Sequence, residues 1–465
     1  MSQTAVNDKE RQQRFILQDS LWKVMVQLSW PAIMAMVLYG LNAVIAAVFV
    51  ARYIGETALA GVSVAYPLTM FGMGFGSLIG VGAGAVLSIA IGRQDKAVQQ
   101  RLLGHVNSLS LIVTIVYMTV ALPLSSEFVK VMGGQGEALV LGERYFTITV
   151  LGSFFWIYGL AANMIVRAEG KMRTAALVMG IGLAADVAFN YLLVAALDLG
   201  VAGAAWATNA GMIVYTLLGF VYFSKGWSSF QTKASAFYWD WATVKSIVSL
   251  GMASLIMNVM NLVQGIVVFN ALSRYGTMQD IAFYGVVYRV FTFLLTPIFG
   301  LMRALQPVVG INYGAGQYER VIRAYQIFTA ASVLLTLPFW LISMLAPGSV
   351  LGLMLPGSAM TAEQSQFFRI YMAILPLLSI VFMAMTFFPA IDKGRPAAVI
   401  GLVRQLVFYI PVMLIAPAIT GVAGVYWGAL AIDTLMVVWT VLLIQKECRA
   451  LRKKTWPQAG LTVPL

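Results

Sequence analysis

The sequence Gly-Val-Ala-Gly at residues 200–203, followed by Trp206, occurs a second time at residues 421–424, followed by Trp427. Two further short matches fall at almost the same separation: Val64-Ala65-Tyr66 with Val286-Val287-Tyr288, and Ala175-Ala176 with Ala397-Ala398. Three matches at one spacing indicate an internal duplication. Because both copies consist of apolar segments of helix length, we expect two homologous membrane lobes.

The composition excludes a water-soluble protein. Mean hydropathy is +0.85, and only 10% of the residues are charged, too few to cover a solvated surface. Apolar stretches of about 20 residues predict membrane-spanning helices, since lipid offers no partners for free backbone groups. We predict twelve spans, at about 21–51, 58–92, 101–125, 140–167, 173–197, 200–223, 244–274, 280–311, 322–346, 364–391, 396–419 and 421–445.

The spans divide into an all-α integral membrane protein with two pseudo-symmetric six-helix bundles. Six spans separate equivalent points, so both copies start on the same side of the membrane and the repeats are parallel. The polar segment between spans six and seven is the expected hinge. The predicted parts are a cytosolic tail (1–19), an N-lobe (20–223), a cytosolic interlobe linker (224–243), a C-lobe (244–446) and a second cytosolic tail (447–465).

The net charge of +12 reflects orientation in the membrane, and we expect no nucleic-acid partner. Lys and Arg cluster after the even-numbered spans, at Arg93, Lys96 and Arg101; Arg167, Lys171 and Arg173; Lys225 and Lys233; Arg320 and Arg323; Lys393 and Arg395; and Lys446, Arg449, Arg452, Lys453 and Lys454. By the positive-inside rule these loops and both termini lie in the cytosol.

Motifs of soluble enzymes are missing from the sequence. The chain has no Gly-x-x-x-x-Gly-Lys-Ser/Thr loop for ATP phosphates and no His-Glu-x-x-His helix for zinc. A single cysteine, Cys448, excludes an internal disulfide. We therefore expect no enzyme and no cofactor, and energy supplied by an ion gradient or a partner protein.

Asp186 in span five is the leading candidate for an ion-coupling residue. A carboxylate within an apolar helix costs several kcal/mol unless it is protonated, paired or bound to a cation. Asn190 lies one turn later on the same face, and the next span supplies Thr208 and Asn209. We expect these four residues to form a cation-coupling site, with Asp186, Asn190 and Thr208 as ligands of a monovalent cation. The alternative is a polar knot that joins spans five and six.

A second buried acid, Asp433 in span twelve, shares the C-lobe with Arg404 and Arg289. A neutralised charge pair is the favoured interpretation of this possible C-lobe charge site. Arg303, Gln306 and Asn312, near the cytosolic end of span eight, are expected to serve in gating or packing.

Several stretches resemble the multidrug and toxic compound extrusion (MATE) transporters, in particular their bacterial DinF-like and MepA-like branches. They are Leu28-Ser-Trp-Pro31, Phe49-Val-Ala-Arg52 with Gly55 and Ala58-Leu-Ala60, Gly200-Val-Ala-Gly-Ala-Ala205 with Ala207-Thr208, Leu305-Gln-Pro307 with Asn312-Tyr-Gly-Ala315, and Arg404-Gln405. The resemblance implies a central cleft between the bundles and export driven by Na⁺ or H⁺ entry. The implied cargo is a small organic molecule, cationic or amphipathic. We expect a monomer in the bilayer of the bacterial cytoplasmic (inner) membrane.

The chain departs from the DinF-like pattern at the site itself. Ala46 stands where the family carries an acid in span one, and Asp186 and Asn190 occupy two family positions in reversed order. Thr208 is kept, whereas span seven has Gln264 where another branch has an acid. The identity of the coupling ion, Na⁺ or H⁺, therefore stays open. So does the cargo, because the same fold suits a dedicated metabolite exporter or a flippase for lipid-linked precursors.

Overall fold

A computed structural model describes residues 3–352 and 361–455, and every regular element in that part of the chain is a helix. The N-terminal half contains α1 Gln3–Gln18, α2 Leu21–Tyr53, α3 Glu56–Gly92, α4 Lys96–Ala121, α5 Ser125–Val131, α6 Gly136–Leu151, α7 Ser153–Ala168, α8 Met172–Asn190 with a π-helical end Tyr191–Ala196, and α9 Gly200–Ser224. The C-terminal half contains α10 Trp241–Tyr275, α11 Met278–Gly314, α12 Tyr318–Leu345, α13 Pro347–Gly352, α14 Ala362–Met372, α15 Leu375–Ala390, α16 Gly394–Leu402 with a π-helical segment Val403–Tyr409, α17 Ile410–Thr420 and α18 Ala423–Thr455.

Within the described residues, eleven helical segments are long and apolar enough to cross a membrane, and α6 and α7 form a twelfth span bent by 55°. The bend falls at Gly152, where an added Cβ would overlap the side chain of Asn209 on α9. The predicted all-α membrane fold with six spans in each half is therefore confirmed. The fifth and eleventh spans correspond in the two halves, and both contain a π-helical segment.

The two lobes meet at one side of the molecule. We call this side, which carries the Lys- and Arg-rich loops, the basic side. An added Cβ at Gly82 of α3 would overlap the carbonyl of Ile247 on α10, and one at Gly251 of α10 would overlap the carbonyl of Leu78 on α3. Only glycine permits backbones to approach this closely. The N-lobe and C-lobe are therefore packed backbone to backbone on the basic side.

A second pair of helices closes the same side. Gly92 at the end of α3 lies against the carbonyl of Ile311 on α11, and Gly314 of α11 lies against the carbonyl of Ile89. Toward the other side, a Cβ added at Gly40, Gly265 or Gly285 would meet nothing within 4 Å. The close glycine-to-carbonyl contacts between the two lobes thus lie toward the basic side.

The segment between α9 and α10, expected to be a hinge, is fixed to the N-lobe. The side-chain amide of Asn107 on α4 donates to the carbonyls of Ala234 (2.9 Å) and Ala236 (2.7 Å). The backbone N–H of Tyr238 donates to the carbonyl of Gly104 at 3.2 Å. The segment as far as Tyr238 is therefore packed as part of the N-lobe.

Glu169, in the turn between α7 and α8, holds the same segment. Its carboxylate is buried and accepts hydrogen bonds from the backbone N–H of Ser229 and from the hydroxyl of Tyr222. Burial raises the pKa of the Glu169 carboxyl, and the nearby Lys171 charge and these hydrogen bonds oppose that rise. Lys171 in turn donates to the carbonyl of Trp227. The segment is thus bound to the N-lobe at several points.

Most of the N-terminal segment that was predicted to be a cytosolic tail forms helix α1, which bridges the lobes. Gln12 donates to the carbonyl of Gly170 in the N-lobe at 3.0 Å. The carbonyl of Ile16 accepts from Arg320 in the C-lobe at 2.9 Å. At the other terminus α18 runs to Thr455, and the rest of the predicted C-terminal tail lies outside the described residues.

Gly251→Val should weaken closure of the basic side, because its side chain collides with the Leu78 carbonyl. Overpacking of about 1–3 kcal/mol corresponds to a shift of about 5- to 150-fold in a two-state equilibrium. The measurement is the distance between spin labels on Lys96→Cys and Gln317→Cys in a Cys448→Ala background, and we expect a longer-distance population. Gly265→Val, on the same helix but in open space, is the matched control and should leave the distribution unchanged. Equal distance distributions for the two variants would contradict the conclusion that the contact of Gly251 with Leu78 holds the basic side closed.

Glu169→Ala should release the segment between α9 and α10, because the Ser229 N–H and the Tyr222 hydroxyl lose a buried acceptor. We expect amide hydrogen exchange over residues 226–240 to accelerate about tenfold or more. Glu127→Ala removes an exposed carboxylate paired with Lys130 and should change nothing there. Unaltered exchange in Glu169→Ala would contradict this role of Glu169 and show that the hydrogen bonds of Asn107 and Lys171 hold the segment without it.

Candidate functional site

The site is centred on Asp186 in the fifth span. Its side chain is buried, with 6% exposure. Gly211 on α9 faces it, and an added Cβ at Gly211 would lie 2.6 Å from the Asp186 Cβ. The missing side chain at position 211 therefore lets the sixth span pack directly against the backbone and Cβ of Asp186.

Two amides hold the Asp186 carboxylate. The Asn42 amide of α2 donates to Oδ2 at 2.6 Å, and the Asn190 amide donates to Oδ1 at 3.1 Å and to the Asp186 carbonyl at 3.0 Å. None of the ion pairs found in residues 3–352 and 361–455 includes Asp186. The carboxylate thus has neutral donors but no positive charge to balance it.

The same two amides present oxygen atoms suited to a cation. Asn42 Oδ1 and Asn190 Oδ1 are both buried and have no hydrogen-bond partner. One carboxylate with neutral amide oxygens is a hard-oxygen set of the kind that alkali and alkaline-earth cations prefer. No group of three or more His, Cys, Asp or Glu side chains suited to a metal ion occurs in the described parts of the chain. The residues therefore fit a monovalent cation or a proton better than a transition metal.

The other two predicted residues lie beside this set. Thr208 donates to the carbonyl of Ala204 at 3.2 Å. Its hydroxyl is not among the hydrogen-bond partners of the Asp186 carboxylate in residues 3–352 and 361–455, which are Asn42 and Asn190. Asn209 departs from the expected convergence, because its amide donates to the carbonyl of Ile148 at 2.7 Å. Asn209 braces the bend between α6 and α7.

Sequence reasoning missed Asn42. It examined position 46, where Ala46 replaces the acid of the related pattern, whereas the polar side chain lies one helical turn earlier on nearly the same face. The available signal in the sequence was a side chain with an oxygen atom, Asn42, one turn before position 46. The first span therefore contributes an amide to the site.

The C-lobe contains the expected charge pair. Arg404 Nη2 and Nε donate to Asp433 Oδ1 at 2.8 and 3.1 Å. Gln264 Oε1 accepts from Gln405 at 3.0 Å and from Arg404 at 3.4 Å. Arg289, the other predicted partner, is exposed and takes no part in the hydrogen bonds of this group. The C-lobe charge is therefore neutralised internally.

A cluster of buried tyrosines, not expected from the sequence, surrounds the pair. The Arg404 guanidinium lies 5.9 Å from the Tyr409 ring centroid. The hydroxyls of Tyr284 and Tyr371 are 3.3 Å apart, and Tyr426 packs against both rings. This aromatic packing shields the ion pair from water and holds its geometry.

The family follows from the match to a known family model. The MatE model matches residues 31–192 and 250–415, one stretch in each lobe. The chain belongs to the MatE family. The predicted resemblance to MATE transporters is thereby confirmed, and the protein is a multi-pass membrane protein of that family.

Curated relatives of this MatE protein span nearly its whole length. Multidrug export protein MepA of Staphylococcus aureus (strain MRSA252) is 25% identical over 450 residues, which is 94% of this chain and 96% of MepA. Multidrug export protein MepA of Staphylococcus haemolyticus (strain JCSC1435) is 22% identical over 436 residues, with the same coverage.

Solved structures share the fold. One, the outward-facing conformation of a multidrug resistance MATE family transporter of the MOP superfamily, has a TM-score of 0.88 and 24% identity, covering 94% of this chain and 98% of its own. Another, MATE in the bent conformation, has a TM-score of 0.89 and 23% identity, covering 97% and 99%. The similarity establishes the MatE architecture over both lobes.

Asp433→Asn should destabilise the MatE protein, because it leaves the Arg404 charge buried without a counter-ion. Breaking a buried pair typically costs about 3–5 kcal/mol, so we expect a clearly lower midpoint of thermal unfolding in detergent. The double variant Arg404→Met with Asp433→Leu removes both charges and should recover most of the loss. An unchanged midpoint in Asp433→Asn would contradict a stabilising role for the pair.

Proposed function

We propose that this chain is a cation-coupled efflux antiporter for small organic molecules, working by alternating access in the bacterial cytoplasmic membrane. The multidrug export role named for its MepA relatives supports the cargo class. The observation that carries the coupling is the Asp186 carboxylate, which is buried among amides and lacks a positive partner. In this proposal the basic side faces the cytosol.

Na⁺ or H⁺ supplies the charge that the Asp186 site lacks. An isolated ionised carboxylate in the membrane costs several kcal/mol, so entry of a cation relieves a large penalty. The Asp186 carboxylate and the free oxygens of Asn42 and Asn190 would hold Na⁺, whereas H⁺ would reside on the carboxylate alone. Binding energy of this size is enough to bias a two-state conformational equilibrium.

Helix α2 connects the ion site to the lobe interface. Its Asn42 binds the Asp186 carboxylate, and about two and a half turns earlier its Ile33 backbone lies against Gly300 of α11 in the C-lobe. Pro31 sits inside the same helix, where it removes a backbone hydrogen bond and permits bending. An ion that repositions Asn42 therefore acts on a helix that the C-lobe touches.

Coupling between the ion and the cargo is reciprocal. An ion that favours the state of lower cargo affinity weakens cargo binding, and cargo weakens ion binding by the same factor. The neutralised Asp433–Arg404 pair adds no unbalanced charge, so the N-lobe carries the coupling alone. No catalytic step is part of this function.

Asp186→Asn should abolish gradient-driven efflux in proteoliposomes, because the amide neither binds a proton nor attracts a cation. Cargo affinity in detergent should persist, since the isosteric amide keeps the fold. Imposing Na⁺ and pH gradients separately identifies the ion that drives the wild type. Asp198→Asn, an exposed acid in the turn before α9, is the control and should transport normally. Undiminished efflux by Asp186→Asn would remove this residue from the mechanism.

A further inference from the structure

Two arginines without acidic partners meet at the lobe interface. Arg167, counted from the sequence among the charges of a cytosolic loop, lies in the last turn of α7 and is 5% exposed. Its Nε donates to Asn163 Oδ1 at 2.8 Å, and its Nη2 lies 3.4 Å from the Met179 sulfur. Its Nη1 is buried and has no hydrogen-bond partner. A charged donor of the N-lobe is thus left unsatisfied.

Arg303 of α11 brings a second positive charge from the C-lobe. It interacts electrostatically with Arg167, and the other titratable groups that face the two guanidinium groups are the phenols of Tyr215 and Tyr39. Both phenols are neutral near pH 7. None of the ion pairs in residues 3–352 and 361–455 includes either arginine. The pair therefore carries two uncompensated positive charges.

The packing around Gly84 of α3 brings together the stretches of chain that carry the two arginines. A Cβ at Gly84 would lie 3.0 Å from Gln306 Nε2, one turn after Arg303, and 3.4 Å from the Cβ of Ala168, next to Arg167. Gln306 also donates to the carbonyl of Val81 on α3 at 2.9 Å. The closed basic side is what draws the N-lobe and C-lobe charges together.

Like charges in a poorly solvated interface repel strongly, and an orphaned guanidinium donor lacks a hydrogen bond. A carboxylate or phosphate would offset the repulsion with its negative charge, and its oxygens would accept hydrogen bonds from the guanidinium groups. Tyr39, whose hydroxyl contacts only methionine sulfurs at 3.7 and 3.9 Å among the described residues, offers a further donor.

We propose that Arg167 and Arg303 form a binding site for the anionic group, a carboxylate or phosphate, of an amphipathic organic cargo. This assignment rests on the proposed export function and names its cargo class. The anion neutralises the repulsion between the lobes, so cargo binding favours closure of the basic side. The cargo itself thereby promotes the step that turns it away from the cytosol.

The test uses two dyes that differ in one carboxyl group. Rhodamine 110 has a free carboxylate, and rhodamine 123 is its methyl ester. Fluorescence polarisation with the full chain in detergent, without any gradient, should show tighter binding of rhodamine 110. Arg303→Gln should weaken rhodamine 110 about ten- to hundredfold, the range for a lost hydrogen bond to a charged group, and leave rhodamine 123 nearly unchanged. Arg303→Lys should retain part of the preference.

Arg289→Gln is the matched control, because it removes a positive charge from the same helix about four turns away. It should leave both affinities unchanged. Equal weakening of both dyes by Arg303→Gln would indicate a packing role and overturn the proposal, as would tighter wild-type binding of rhodamine 123. The binding measurement needs no ion gradient, so undiminished efflux by Asp186→Asn, which would overturn the coupling proposal, would leave this test of the anion site intact.

Competition distinguishes a soluble organic anion from a lipid phosphate as the source of the anionic group. One competitor is dioctanoyl phosphatidic acid. A phosphate-bearing lipid is supported if this competitor displaces rhodamine 110 from the wild type and binds the Arg303→Gln variant at least tenfold more weakly. Displacement by benzoate but not by the lipid supports a soluble carboxylate. If neither the lipid nor benzoate displaces rhodamine 110, the proposed anion site is overturned.

Discussion

An unbalanced carboxylate inside an apolar lobe is the constraint on which the remaining architecture depends. Asp186 is tolerated because Gly211 lets the sixth span cover it and because two amides donate to its oxygens. Amides moderate the cost of burying the charge without cancelling it. The carboxylate therefore keeps part of its burial cost, and this remaining cost is the reason that we propose a cation for the site.

In the proposed transport cycle, a free-energy change at Asp186 would act on an interface whose contacts are either fully made or lost. The glycine-to-carbonyl contacts at Gly82 and Gly251 are close fits, which a small displacement breaks rather than stretches. The segment before α10 and helix α1 add hydrogen bonds on the same side. A lobe movement must therefore exchange a set of specific contacts together, as switching between discrete states requires.

Sequence reasoning succeeded where lipid dictates composition. It predicted the twelve spans and two lobes because each span must be apolar over its length, and it found Asp186 because an acid within such a span is rare. It missed Asn42, because an amide is unremarkable in a helix. It counted Arg167, the last residue of the predicted fourth span, among the loop charges, because composition does not show that an arginine at a span's end is buried. The segment between α9 and α10 was expected to be a hinge, because the packing of polar residues in a connection leaves no periodic pattern of hydrophobic residues in the sequence. The cation site itself stays a prediction.

The duplication explains why the halves differ in their chemistry. The first, fifth and sixth spans meet at Asp186, and the equivalent seventh, eleventh and twelfth spans meet at the Arg404–Asp433 pair. Each duplicated half thus contains a point at which three corresponding spans meet around an acidic side chain. In the C-lobe, Arg404 balances the Asp433 carboxylate, and tyrosines pack around the pair. In the N-lobe, Asp186 has no cationic partner among the described residues, and we propose that this carboxylate responds to ions. A transporter needs one lobe to respond while the other supplies a fixed surface, and the placement of a single arginine is enough to divide those roles.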